Sequence, residues 1–243
     1  SVDVVVVDQS PLSGTPRSTP ASYTGALDPI RRLFAKMEQS KMKGFDLGRF
    51  SYNVARGRCP VCEGRGSISV EMHFLSDVWE VCEACEGKRY NQETLSVLFK
   101  GKNIADVLDL RIDEACTFFK DQDKIISLLK PLSEVGLSYL RLGQSVTTLS
   151  GGEAQRMKLA AELSVKEKSE TIYLFDEPTT GLHLKDIQVL WDMFRRLSDR
   201  GHTVIIIEHH PEIIRLADWN VELGPEGGDL GGFLINQGHF KSK

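Results

Sequence analysis

Hydrophobic positions along the chain change rhythm twice. Val2 to Val7 is a β-branched run, the pattern of a strand buried on both faces. A loop rich in Pro, Ser, Thr and Gly follows from Gln9 to Gly25, and Pro29 to Met37 carries helical spacing. Between Gly44 and Gly66 periodicity disappears among Gly and Arg residues. Ser67 to Phe74 and Val78 to Val81 predict short strands. Ile104 to Leu108, Asp113 to Lys120 and Lys124 to Glu134 predict helices. The rhythm then becomes regular. Gly151 to Lys166 predicts an amphipathic helix, Thr171 to Asp176 a buried strand, Leu184 to Arg200 a long helix, Thr203 to Glu208 another buried strand, and Pro211 to Leu216 a last helix. Strands alternating with helices of this length predict an α/β fold with a parallel sheet covered on both faces. The aperiodic middle, roughly 30 to 125, reads as an insertion into that fold.

Composition adds limits. A chain of 243 residues with 41% hydrophobic and 26% charged residues can bury a sizeable core. Its net charge of −4 does not advertise a nucleic-acid binder. The longest apolar runs, Val4 to Val7 among them, are far short of the roughly 20 residues that span a bilayer. No basic region followed by an apolar stretch opens the chain, so no secretion signal is expected and the predicted location is cytoplasmic. The start without Met, inside a predicted strand, suggests a fragment of a longer protein.

Four of the five cysteines form two pairs, Cys59-Pro60-Val61-Cys62 and Cys82-Glu83-Ala84-Cys85, separated by 19 residues. Each C-x-x-C knuckle presents two thiolates to one tetrahedral ion, so the pattern points to a closed, structural zinc site. A redox pair or buried free thiols are the competing readings. Gly64 and Gly87 follow the knuckles, where backbone wraps a metal, and Cys116 reads as a small core residue. Between Arg31 and Gly66 stand nine Lys or Arg against three acids. Arg49, Arg56, Arg58, Arg65, Lys88 and Arg89 lie around the ligands, and Phe45, Phe50 and Tyr52 are interleaved with the charges. Such a face fits duplex phosphates, and equally a solvated surface of a metal-held subdomain.

Further chemistry collects at predicted strand ends. Asp176 and Glu177 close the strand that starts at Thr171; ligands of open parallel sheets sit at such ends. An Asp there suits Mg²⁺ and a neighbouring carboxylate suits water activation, although an acidic turn before a helix has the same composition. Ser150, Gly151, Gly152 and Glu153 run into a helix whose N-terminus favours an anion; the same residues make a capping box, and the two readings coexist. His209 ends the strand after Thr203, at a position matching Asp176 and Glu177.

In order, Leu149 to Glu153, the helix after it, the strand ending Asp176-Glu177-Pro178, Thr179 to His183, and the strand ending Glu208-His209-His210 resemble the ABC ATPase superfamily. The resemblance implies a P-loop NTPase-like cassette. It makes Leu149 to Glu153 the signature, Asp176 and Glu177 Walker B, Thr179 to His183 the D-loop, His209 the switch histidine and Gln9 the Q-loop glutamine. No G-x-x-x-x-G-K-[ST] occurs, and the family order places that loop before Ser1. Without its phosphate cradle this chain alone is expected to bind ATP weakly and hydrolyse it negligibly. The predicted divisions are 1–30 for the start of the ATPase core with the Q-loop, 31–125 for the inserted zinc subdomain, 126–170 for the helical signature region, and 171–243 for the rest of the core.

A zinc module between Q-loop and signature narrows the resemblance to the second cassette of the UvrA family. The carrying residues include Asp8 to Pro11, Thr15 to Ser18, Pro20 to Gly25, Gly48 to Asn53 and Gly57 to Cys59. They continue through Glu71 to Leu75, Gly87 to Asn91, Arg141 to Gln144, Asp176 to His183, Ala217 to Trp219 and Leu223 to Gly228. The pattern departs at Ala55, where glycine is usual, and at His210, where Asn is common. The resemblance implies a damage-recognition ATPase of bacterial nucleotide excision repair, an excinuclease component of the SOS response. It implies a homodimer that binds duplex DNA, preferentially damaged, and loads a UvrB-type helicase partner through its other half, with no membrane role. It assigns Glu177 to polarising water, Asp176 and Gln9 to Mg²⁺, and His209 to the γ-phosphate. Ser150, Gly151 and Gly152 would close on nucleotide held by the other cassette. Alternatives are a UvrA-like drug-resistance paralogue, a transporter ATPase subunit, disfavoured by the zinc knuckles, and a zinc-dependent binding module with an inactive cassette.

Overall fold

The computed structural model describes residues 2–70, 78–164, 170–182, 184–228 and 231–239. Residues 71–77, 165–166 and His183, which carry parts of the predicted strand, helix and D-loop, lie outside them. Along the chain, strand β1 (Asp3–Val7) is followed by helices α1 (Pro20–Tyr23), α2 (Leu27–Ala35) and α3 (Glu38–Met42). Next come strands β2 (Ser67–Val70) and β3 (Val78–Val81), then α4 (Gln92–Leu95), α5 (Ile104–Asp109), α6 (Ile112–Phe118) and α7 (Asp123–Glu134). Helix α8 (Gly151–Ser164), strand β4 (Thr171–Asp176), helix α9 (Leu184–Asp199), strand β5 (Thr203–Ile207) and helix α10 (Pro211–Leu216) lead to the hairpin of β6 (Asn220–Gly224) and β7 (Phe233–Gly238).

Two compact units result, Ser1–Gln9 with Ser169–Lys243, and Ser10–Lys168. The first is built on a parallel sheet of order β1-β4-β5, with Val5 opposite Tyr173 and Tyr173 opposite Val204. Tyr173 and Phe175 point to one face and are buried. Helix α9 covers that face with Ile187, Leu190, Met193, Phe194 and Leu197, an i, i+3, i+4 stripe, and the Phe175 and Phe194 rings lie 4.7 Å apart. The opposite face differs from the expectation of strands buried on both sides. Val4 and Val6 are 63% and 56% exposed, and Ile205 and Ile207 are 47% and 52% exposed. A β-branched run marks a strand fit for two-sided burial, but α9 supplies cover to one side.

The second unit is mainly helical, with the short β2–β3 hairpin among its loops. Phe34, Phe50 and Phe119 from three separate segments are fully buried, as are Leu129 and Leu132 of α7. The helix expected to be amphipathic is α8, and it is buried more evenly than that. Gln155 and Arg156 are buried together with Ala154, Met157, Leu159, Ala160 and Leu163. Short helices inside predicted loops escaped the periodicity. Helix α1 is one turn long, started by a capping box in which Thr19 and Ser22 exchange side-chain and backbone bonds.

Candidate nucleotide and metal sites

In the first unit the parallel strands deliver their carboxyl ends side by side. Asp176 is the last residue of β4, and Glu177 follows it with its amide donating to the Ile207 carbonyl of β5 at 2.9 Å. Glu177 holds φ +43°, a left-handed conformation that costs a non-glycine residue energy and is typical of functional turns. The Gln9 side-chain amide, just past β1, donates to the Glu177 carbonyl at 3.1 Å. His209, just past β5, places Nδ1 4.0 Å from Glu177 Oε1 and 3.9 Å from Glu208 Oε2. The imidazole is largely exposed and the Glu177 carboxylate half-exposed. The structure thus brings together Gln9, Asp176, Glu177 and His209, which are 168 residues apart in sequence at their widest bonded pair.

The sequence marks Glu208 only as the end of a strand, and the structure places it in this cluster. The Glu208 side chain is 2% exposed and accepts from the Thr179 amide (3.0 Å), the Thr179 hydroxyl, and the amides of His209 (2.8 Å) and His210 (2.9 Å). It therefore fixes the backbone that carries His209 to the turn after Glu177. Burial pushes the Glu208 carboxyl up, and the bonds from Thr179, His210 and His209 outweigh it, leaving the group below its ordinary value. A carboxylate closing an apolar strand was the available signal. Because the folded pKa is lowered, this bond set contributes its full stability above the ordinary carboxylate range. The contribution is lost as pH falls through the folded value. Glu208→Ala leaves the Thr179, His209 and His210 donors without their carboxylate acceptor and is expected to cost about 2–4 kcal/mol in denaturant unfolding at neutral pH. The deficit relative to wild type should shrink at acid pH.

In the second unit Ser150 caps α8. Its amide donates to Glu153 Oε2 at 2.7 Å and its hydroxyl accepts from the Glu153 amide at 3.3 Å. The Tyr139 hydroxyl completes the set by donating to Glu153 Oε1 at 2.6 Å. Burial and this carboxylate push the Tyr139 phenol up to about 12, so it stays a donor at neutral pH. The capping box is thus present, and Ser150, Gly151 and Gly152 begin a 14-residue helix whose amides face its N-terminal side.

The four cysteines of the same unit converge. Cys59, Cys62, Cys82 and Cys85 are 2%, 3%, 0% and 3% exposed, and their sulfurs all lie within 4.8 Å of one another. Tetrahedral Zn–S bonds of about 2.3 Å need sulfurs roughly 3.8 Å apart, and Cys62 Sγ and Cys85 Sγ are separated by 3.6 Å. The donor set therefore fits zinc with no open coordination position. Each knuckle turns through left-handed residues, Glu63, Gly64 and Gly66 in one, Glu86, Gly87 and Arg89 in the other. Burial pushes the Cys85 thiol up to about 12, with the crowded thiols of Cys62 and Cys82 adding to it. Gly64 is required for space as well as for its φ of +83°, since a Cβ there would lie 1.9 Å from the Tyr52 carbonyl oxygen. Gly64→Ala is expected to lower stability by about 2–3 kcal/mol and reduce zinc retention, measurable by chelator competition. Cys116 stands apart from the cluster in α6, half-buried, with its thiol raised by burial.

The basic residues divide by orientation. Arg56, Arg65 and Lys88 reach solvent, although Arg56 pairs with Asp46 and Lys88 with Glu86. Arg49 is held by Glu93 and Thr94 with its guanidinium over the Phe45 ring, and Arg58 leans on Glu63. Arg89 turns inward: its guanidinium donates to the Pro16 and Gly143 carbonyls and lies over Tyr52.

A family profile described as ABC transporter matches residues 62–180. UvrABC system protein A of Neisseria meningitidis serogroup A is 56% identical over 235 residues, 97% of this chain and 25% of that protein. The protein of the same name from Aquifex aeolicus is 55% identical over the same shares. The crystal structure of UvrA2 from Deinococcus radiodurans matches with a TM-score of 0.92 and 50% identity, covering 98% of this chain and 29% of that one. The chain spans about a quarter of the length of the curated relatives it matches. Among the described residues, no helix is long and apolar enough to cross a membrane.

Proposed function

The chain belongs to the UvrA family of ABC-type ATPases, and on that premise we propose that it is the second cassette of a DNA-damage-recognition protein of nucleotide excision repair. The convergence of Gln9, Asp176, Glu177 and His209 at the carboxyl edge of one parallel sheet carries this reading. Mg²⁺ bound there would neutralise phosphate charge. Asp176 and the Gln9 side-chain oxygen would hold it through water or directly. Glu177 would orient the attacking water and take its proton, and His209, fixed by Glu208, would donate to the γ-phosphate. Ser150, Gly151 and Gly152 would present backbone donors to nucleotide held by the opposing cassette, with Glu153 holding the cap in place. ATP turnover is proposed for the complete protein. These 243 residues contain no phosphate-loop lysine motif, and alone they are proposed to bind ATP weakly.

The zinc module would meet duplex DNA, preferentially damaged, through its outward cations. Arg56, Arg65 and Lys88 are the best placed, with Arg49 and Arg58 at the edge and Arg89 serving the interior. A homodimer in the cytoplasm that passes the lesion to a UvrB-type helicase partner completes the proposal, and nucleotide would alter the grip of the module on DNA. Each phosphate contact released from a duplex changes the slope of log Kobs against log salt by about 0.9. The double substitution Arg65→Ala and Lys88→Ala in the complete protein is therefore expected to flatten that slope by nearly 2 in fluorescence anisotropy. A wild-type slope would remove these two residues from the interface.

A further inference from the structure

Arg89 is built as a clamp between the metal knuckles and the segment that leads to Ser150. Its main chain belongs to the knuckles: the Arg89 carbonyl accepts from the Cys59 amide at 2.8 Å, and its φ of +67° ends the turn after Cys85. The next residues bind the same strip. Tyr90 bridges to Arg58, and the Asn91 amide donates to the Gly57 carbonyl at 3.0 Å. The exit of the second knuckle is thereby stitched to the entrance of the first, and the direction of the Arg89 side chain depends on both.

Its side chain belongs elsewhere. Nη2 donates to the Gly143 carbonyl at 3.0 Å and Nη1 to the Pro16 carbonyl at 3.4 Å. Those two segments are themselves joined, since the Val146 amide donates to the Ser18 carbonyl at 2.9 Å. Arg17 adds an ion pair to Glu63 of the first knuckle at 3.7 Å. Lys158 of α8 holds the other end of the same stretch, donating to the carbonyl (3.0 Å) and hydroxyl (2.8 Å) of Ser10. Gly143 is tight as well: its amide donates to the Leu108 carbonyl at 2.7 Å, and a Cβ would lie 2.8 Å from Leu108 Cβ. The stretch from Ser10 to Ser18 is therefore tied to the knuckles on one side, through Arg17 and Arg89, and to Val146 and α8 on the other, and Arg89 alone among these contacts also reaches Gly143.

We propose that Arg89 is a positioning residue that makes the order of the 143–150 segment, and with it the presentation of Ser150, depend on metal in the knuckles. The inference rests on the reading that the four cysteines hold zinc. Zinc fixes both knuckles, the knuckles aim Arg89, and Arg89 holds Gly143 against the turn before Ser150. Linkage makes the dependence reciprocal, so that an anion fixed at Ser150 restrains the knuckles in turn.

Amide hydrogen exchange on the complete zinc-loaded protein tests it, read over residues 141–149 with zinc content measured in the same samples. Arg89→Ala is expected to keep its zinc and to exchange at least about tenfold faster there, as loss of a charged hydrogen bond to a part-buried carbonyl implies. Arg89→Lys, with a point charge in place of the fork, should fall between. Wild type stripped by a chelator should show the same local acceleration. Unchanged exchange in Arg89→Ala with zinc retained overturns the proposal. If that variant loses zinc, Arg89→Lys decides: zinc-loaded with faster exchange supports the clamp, zinc-loaded with wild-type exchange rejects it. If both variants lose zinc, Arg89 is part of the metal fold and the clamp is rejected. Wild type that binds no stoichiometric metal defeats the metal reading separately, while the comparison of Arg89→Ala with wild type still reports on the clamp.

Discussion

Glu177→Gln in the complete protein is expected to lower ATP turnover by about 10²- to 10⁴-fold while ATP binding persists, the range for loss of a positioned general base. Geometry motivates both halves of this expectation. The carboxylate stands half-exposed beside His209 at the end of β4, and its backbone is fixed by Ile207 and Gln9 rather than by its own side chain. Replacing an oxygen with an amide removes the proton acceptor and leaves the turn intact. Steady-state turnover with an ATP-binding measurement checks it. Turnover within twofold of wild type would remove Glu177 from the role of base and move attention to Asp176 and His209.

Removal of zinc has the second large effect. The four sulfurs sit together in one buried cluster. Structural zinc contributes on the order of 10 kcal/mol to small modules of this kind. Chelation, or Cys82→Ser, is expected to unfold the region around the knuckles locally and to abolish salt-sensitive DNA binding. Helices α6 and α7, which have their own core in Phe119, Leu129 and Leu132, should persist. Metal analysis with circular dichroism and limited proteolysis distinguishes the outcomes. A chelated protein with unchanged protection between residues 57 and 91 would show that the cysteines do not hold a structural metal.

What could be read ahead of the structure followed from local chemistry. The strand from Thr171 to Asp176 and the helix from Pro211 to Leu216 have the bounds that periodicity predicts, the strand ending on a switch from apolar residues to a carboxylate and the helix beginning on a proline. The knuckle cysteines were legible because metal-ligand spacing is imposed within a few residues. Hairpin β6–β7 was not, since Val221, Leu223, Phe233, Leu234 and Ile235 are exposed and bear no simple alternation of buried and solvent faces. The one-sided burial of β1 and β5 was likewise invisible, because residue type records what a strand can bury and not what covers it. Basic residues gave the most mixed signal. Arg65 and Arg89 look alike in the chain, yet one is exposed and the other donates to two carbonyls, a choice made by the left-handed turn after Cys85. Glu208 was hidden for a related reason: its four donors come from Thr179, His209 and His210, which only the β4–β5 pairing brings together.

The measurement that bears most directly on the proposed function is a titration of the complete protein with labelled duplex, damaged and undamaged. It is run over a salt series, with and without ATP, on zinc-loaded and chelated samples. Damage recognition by a nucleotide-linked zinc module predicts tighter binding to the damaged duplex, a steep salt dependence, a shift with ATP, and loss of all three on chelation. Equal binding to both duplexes in every nucleotide state, by a zinc-loaded protein that hydrolyses ATP, would contradict it.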